Sequence, residues 1–252
     1  MTSIFALADA GDTTGVISLL KDGKIDGRDS DGRTALHHAA VAGHASLVEA
    51  LVQRGATRET VDDGGWSPLH SAAAAGRAEC VTALITADAT NLKAGAGSSG
   101  STALILAASK GHALIVRTLL EARANALAVD GSGGTSLHRA AAKGHVAVLE
   151  ALLTLRHDLV DRRDREGHTA FHLACIHEQP DACIALAEGG AELETTNAEG
   201  EAAASLLKPS LRSQLGLLGP EEAAEDHTDW LAEHYPVPQH KVAAPGSSGL
   251  YL

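Results

Sequence analysis

Five tetrapeptides of one kind divide this chain at nearly equal intervals. Thr34-Ala35-Leu36-His37 recurs as Ser67-Pro68-Leu69-His70, Thr102-Ala103-Leu104-Ile105, Thr135-Ser136-Leu137-His138 and Thr169-Ala170-Phe171-His172. Successive starts lie 33, 35, 33 and 34 residues apart. Such a period constrains the fold more than any local pattern does. Each copy is one supersecondary unit that cannot bury its apolar face alone, so neighbours must stack around a continuous core. Degenerate copies flank the set, Thr2-Ser3-Ile4-Phe5 before it and Ala202-Ala203-Ala204-Ser205 after it, which makes seven units. End units have one neighbour each and are expected to be atypical.

Every unit has the same parts. The Thr or Ser that opens the tetrapeptide is a helix cap, its side-chain oxygen accepting from free backbone N–H groups. Small residues follow at Ala39-Ala40, Ala72-Ala73, Ala107-Ala108 and Ala140-Ala141, allowing first helices to approach closely. A glycine closes that helix at Gly11, Gly43, Gly76, Gly111 and Gly144. A second helix carries an apolar stripe, Leu47, Val48, Leu51 and Val52 in one unit and Ile115, Val116, Leu119 and Leu120 in another. A turn-rich finger then leads to the next unit, as in Asp29-Ser30-Asp31-Gly32 and Asp62-Asp63-Gly64-Gly65. This arrangement resembles the ankyrin repeat, whose period is about 33 residues. The expected fold is all-α, an ankyrin-repeat solenoid of about seven helix-turn-helix units with hairpin fingers over residues 1–218. Aromatic residues are only 2% of the chain, which suits closely stacked small helices better than a core anchored on large rings.

The repeat is broken in three places. The stop after the second helix is Gly23, Gly55 and Gly190 in three units, but Asp88, Arg123 and Arg156 in others. A non-glycine residue in the left-handed region costs about 1 kcal/mol, so those joints are expected to be weaker or differently shaped. The finger from Lys93 to Ser101 is longer than the rest and rich in Gly and Ser, which predicts a flexible tip. In the sixth unit Glu178 stands where the other first helices have their closing glycine.

Charge and residue chemistry exclude several functions. The net charge is −12, which argues against nucleic acid, since phosphate recognition needs a basic surface. About −5 of it falls on the segment 219–252, whose Pro, Gly, Ser and acidic content predicts a disordered tail. The three cysteines are odd in number and lack ligand spacing, which suits a reducing compartment. Cys80 and Cys183 fall among apolar neighbours and are expected to be buried small hydrophobes. No leader or membrane-length apolar run is evident, so a cytoplasmic and nuclear location without membrane contact is expected. Seven of the fourteen histidines recur at repeat positions, and a repeated residue points to a repeated structural task. No phosphate loop, nucleophile elbow or metal-ligand spacing occurs. The expectation is therefore a binding protein, not an enzyme, with no cofactor or metal.

Binding in such an array falls on the concave face, built from fingers and first helices. His38, Ser71, Leu106, Arg139 and Leu173 follow the tetrapeptides and should line it, with Val41-Ala42, Ala74-Ala75, Ser109-Lys110, Ala142-Lys143 and Ile176-His177 as the next rung. The finger Asp62-Asp63-Gly64-Gly65-Trp66-Ser67-Pro68-Leu69-His70 and the run Ala75-Gly76-Arg77 resemble the gankyrin-like ankyrin-repeat proteins. So do Arg33-Thr34-Ala35-Leu36-His37, Ala108-Ser109-Lys110, His138 to Gly144 and His172-Leu173-Ala174-Cys175. Those proteins are assembly chaperones of the proteasome regulatory particle, and they grip the C-terminal domain of an AAA ATPase subunit. The resemblance implies that partner here, with contacts at Asp31, Arg33, Asp62, Asp63, Trp66, Arg77 and Lys110, and matching residues at Arg139 and Lys143. A monomer is expected. A different ankyrin role, as scaffold or inhibitor of a kinase or transcription factor, fits the same fold. The L-x-C-x-E segment tied to retinoblastoma-protein binding in that group reads Leu173-Ala174-Cys175-Ile176-His177 here. With histidine in place of the acid, a retinoblastoma pocket domain is expected not to retain this protein in a pull-down.

Overall fold

The computed structural model describes residues 3–20, 24–85 and 100–217. Thr2, Gly23, Asp88, most of the long finger and the 219–252 segment lie outside the described residues. The chain divides at Leu207 into a first unit and a second one beginning at Lys208. Among the described residues there are thirteen α-helices and no strands beyond two isolated bridges, Arg28 with Thr34 and Thr196 with Ala202.

Six helix pairs make up most of the first unit. They are α1 (Ile4–Asp9) with α2 (Thr13–Leu19), α3 (Ala35–Ala42) with α4 (Ala45–Gln53), and α5 (Pro68–Ala74) with α6 (Ala78–Leu84). Next come α7 (Ala103–Ser109) with α8 (Ala113–Glu121), α9 (Ser136–Ala142) with α10 (Val146–Leu155), and α11 (Ala170–Ile176) with α12 (Pro180–Glu188). In the seventh copy the first helix is shortened to a 3-10 turn, Ala203–Leu206, that packs on α11. In the second unit, α13 spans Pro209–Gln214. These helices run six to ten residues, too short to persist alone in water. Stacking holds them. The inner helices pack in the order α1, α3, α5, α7, α9, α11, and the outer ones in the order α2, α4, α6, α8, α10, α12.

The core follows the repeat. Leu36, Leu69, Leu104, Leu137 and Phe171 occupy one tetrapeptide position and are all buried. The alanine pairs of α3, α5, α7 and α9 are buried as well, and their small size lets successive inner helices touch. On the outer row Leu47, Val48 and Leu51, then Ile115, Val116 and Leu119, fill the space between units. Val52 and Leu120 sit half-buried at the edge of that stripe. Cys80 and Cys183 are buried among these side chains. Each fully buried leucine or isoleucine contributes about 1.5–3 kcal/mol.

The inner helices end against the next unit. Gly43 has φ +93 and Gly111 φ +80, and a β-carbon would come within 2.8 Å of Arg77 at the first and 2.9 Å of His145 at the second. Both the left-handed turn and the close approach therefore require glycine there. Glu178 takes the equivalent place in the sixth unit with φ 51. After the outer helices, Gly55 (φ 90) and Gly190 (φ 86) are left-handed, and so is Arg123 at φ 63. Arg156 is not. Its φ is −149, because α10 runs to Leu155 and hands over to the 3-10 turn His157–Leu159. That joint differs in shape and stores no left-handed strain. Arg123→Gly should therefore raise unfolding stability by about 1 kcal/mol, read from chemical denaturation, while Arg156→Gly should give no such gain.

Candidate protein-binding groove

The fingers are built on one repeated device. Asp29, Asp62, Asp130, Asp164 and Asn197 each donate a backbone N–H to the carbonyl four residues on, at 2.9–3.0 Å. The side-chain oxygen of each then accepts from the N–H groups two and four residues on, as Asp62 does from Gly64 (3.0 Å) and Trp66 (2.8 Å). The same pair of bonds recurs at Asp29, Asp130, Asp164 and Asn197. Adjacent fingers are cross-linked by backbone bonds from Asp63 to Asp31, Arg165 to Ser132 and Ala198 to Glu166, at 3.0–3.1 Å. The described fingers are thus pre-set before any partner arrives, 29–33 with 62–66 and 130–134 with 164–168 and 197–201. The sequence reading missed this device, although the acid recurs at the repeat period.

Histidines tie fingers to helices. The backbone N–H groups of Thr34, Thr135 and Thr169 donate to Nδ1 of His37, His138 and His172 at 3.1–3.2 Å. With Nδ1 accepting, the proton sits on Nε2, which donates to the next finger's carbonyl. The acceptors are Trp66 (2.9 Å), His168 (3.0 Å) and Glu201 (3.4 Å). Burial pushes all three imidazoles below the ordinary histidine range, against the opposing pull of those carbonyls. The unfolded chain therefore binds more protons than the folded one just below the reference value of 6.5. Stability from these groups is fully present above that pH and is lost as pH falls toward the folded values. The melting temperature should drop from pH 7.5 to about pH 5.5, before carboxylates titrate; a flat profile would contradict neutral, buried roles.

A second set of side chains rests on the helix-closing glycines. His44 bonds the Asp9 carbonyl (2.8 Å), His112 that of Ala74 (3.3 Å) and His145 that of Ser109 (3.1 Å). Arg77 occupies the same register, its Nε donating to the Val41 carbonyl at 3.1 Å. It is exposed, yet this contact makes it a link between units.

The predicted site residues fall into distinct places. Asp31, Arg33, Asp62, Asp63 and Trp66 line one groove of about 530 Å³ with His38, Val41 and Ser71. Asp31, Arg33 and Asp63 are exposed and Trp66 is half-buried, its indole edge-on to His70 at 6.4 Å. Arg33 is 3.4 Å from the Asp62 carboxylate, which is already committed to its own finger. Arg139 and Lys143 line a second groove of about 460 Å³ with Ser109, Asp130 and His177. Arg139 is engaged with the buried Asp130 carboxylate (2.6 Å) and the Ser132 hydroxyl (2.6 Å). Burial pushes the Asp130 carboxyl up, but hydrogen bonds from Arg139 and Ser132 hold it below the usual carboxylate range. His38 does a related job, bonding Asp9 and Asp29 at 2.9 Å each. Lys110 and Lys143 cap α7 and α9. They are exposed, and their ammonium groups have no partner among the described residues. Among the described residues no three His, Cys, Asp or Glu side chains are grouped to hold a metal ion, and no helix is long and apolar enough to cross a membrane.

The family model described as ankyrin repeats (3 copies) matches residues 4–94, 87–162 and 128–197. The chain belongs to the ankyrin-repeat family. Among solved structures, the human ASB11 ankyrin repeat domain is similar at 25% identity and a TM-score of 0.75, over 87% of this chain and 99% of that one. The ankyrin repeat domain of Bcl-3, a member of the IkappaB family, matches at 22% identity and a TM-score of 0.73, over 85% and 97%. No curated protein matches the sequence. An ankyrin array is a protein-interaction module and typically not an enzyme, so this chain is a protein-binding scaffold. Asp62 and Arg139 thus hold the framework of the fingers and inner helices, Arg33 is shared with Asp62, and Asp31, Asp63, Lys110 and Lys143 are exposed.

Proposed function

We propose that the concave face grips the C-terminal domain of an AAA ATPase subunit of the proteasome regulatory particle, and that the chain acts as an assembly chaperone for that particle. The observation that carries this reading is the convergence of Asp31, Arg33, Asp63 and Trp66 in one groove, together with Lys110 and Lys143, which cap inner helices farther along and have no partner among the described residues. All of these except Asp31 belong to the segments that resemble gankyrin-like proteins, and the resemblance implies a contact at Asp31 as well. A rigid row of fingers with preset charges of both signs suits a small folded domain better than a flexible peptide, because charge pairing fixes register and rejects wrong partners. A half-buried tryptophan is a strong anchor in such a site.

Affinity purification from the native cell with mass spectrometry tests the partner and the surface together. Wild type is compared with Lys110→Glu and Asp63→Lys, whose side chains are exposed and outside the finger framework. A proteasomal ATPase subunit recovered by wild type and weakened in the variants supports the reading. Recovery of a kinase or transcription factor with no ATPase subunit would replace it with a general ankyrin scaffold or inhibitor.

A further inference from the structure

We infer that Cys175 and Cys183 form a dithiol oxidation site, closing a reversible disulfide inside the sixth repeat when a peroxide reaches them. Cys175 lies in the last turn of α11 and Cys183 in the first turn of α12. The short turn between these helices brings the two Sγ atoms to 3.8 Å, close enough for a thiol–thiol hydrogen bond. Both are reduced and buried, at 4% and 1% exposure. A disulfide needs the sulfurs at about 2.05 Å, a closure within reach of side-chain rotation from this starting point.

Access comes from local opening. The turn holds Glu178 in the left-handed region, and the first helix of the repeat that follows is shortened to a 3-10 turn. This end of the stack should therefore open more readily than the middle. The two thiols are also unequal. The hydrogen bond from Cys175 holds the Cys183 thiol below its ordinary range, and the same contact, with burial, pushes Cys175 up. Either sulfur can donate to the other across this contact, and the reaction is written with Cys183 attacking first. Its thiolate cleaves the O–O bond of hydrogen peroxide, giving a sulfenic acid and, after proton uptake, water. Cys175 then attacks the sulfenic sulfur, the S–O bond breaks, and a second water leaves. Two thiols and one peroxide give one disulfide and two waters, with two electrons passing from sulfur to oxygen.

Cys80 is an internal control. It is buried in α6 with its thiol pushed up by burial and has no second sulfur beside it among the described residues. The full chain is treated with hydrogen peroxide in native buffer, then alkylated after denaturation and mapped by mass spectrometry. The expected result is a linked 175–183 peptide two hydrogens lighter than the reduced pair, Cys80 still fully alkylated, and both thiols restored by dithiothreitol. Cys175→Ser should leave a sulfenic acid on Cys183 that dimedone traps. The inference is overturned if all three thiols remain alkylatable under peroxide that oxidises free glutathione. It is also overturned if Cys80 is lost at the same rate as the pair, which would trace the reaction to global unfolding, or if dithiothreitol fails to restore the pair.

Discussion

His138→Ala should lower unfolding stability by about 3 kcal/mol, far more than an exposed substitution on the same helix. The ring is buried and makes contacts at both ends. Its removal strands the Thr135 N–H and hydroxyl, and it frees the His168 carbonyl in the next finger. A buried polar group left without a partner costs about 1–3 kcal/mol, and the lost ring leaves a cavity as well. His138→Ile is the informative companion. Isoleucine stands at the same repeat position as Ile105, where it is buried, so this variant restores packing but not hydrogen bonds. Chemical denaturation should rank wild type above His138→Ile, and His138→Ile above His138→Ala. Equal stabilities for all three would refute the role assigned to the histidine.

Trp66→Ala should weaken partner binding by about 100-fold, a loss on the order of 2–3 kcal/mol for truncating an aromatic anchor. The indole lines the 530 Å³ groove, whereas the residue's structural task, accepting from His37, belongs to its backbone carbonyl. Fold and binding are therefore separable at this position. The melting temperature should change little beside the change in affinity, and Trp66→Phe should recover most of the binding. A titration in which Trp66→Ala binds like wild type would remove this finger from the interface.

Much of this molecule is legible in its sequence, because a repeat states each structural rule several times. The capped tetrapeptides, the alanine pairs and the helix-closing glycines mark the inner helices, and the apolar stripes mark the outer ones. Arg123 shows the left-handed strain its position implies. Arg156 does not, because α10 continues to Leu155 and a 3-10 turn with Leu159 buried takes over. The candidate site was harder to sort. That Arg33 and Trp66 share one groove follows from the register of the repeat. Whether a charge there is free or already used depends on contacts across units that spacing does not reveal. Asp62 and Arg139 look like surface charges in the sequence, yet one closes its finger and the other clamps a buried carboxylate. Arg77 replaces a histidine that links neighbouring repeats. Cys175 and Cys183 are eight positions apart, and only the fold of the sixth helix pair brings their sulfurs together.

Hydrogen–deuterium exchange on the full chain, with and without the C-terminal domain of a regulatory-particle AAA ATPase subunit, tests the proposed function most directly. The predicted result is slower exchange in the fingers at residues 29–33 and 62–66 and in the inner helices α5, α7 and α9, with the outer helices α4, α6, α8 and α10 unchanged. Protection confined to the outer helices, or no change at a saturating concentration of any such domain, would contradict it.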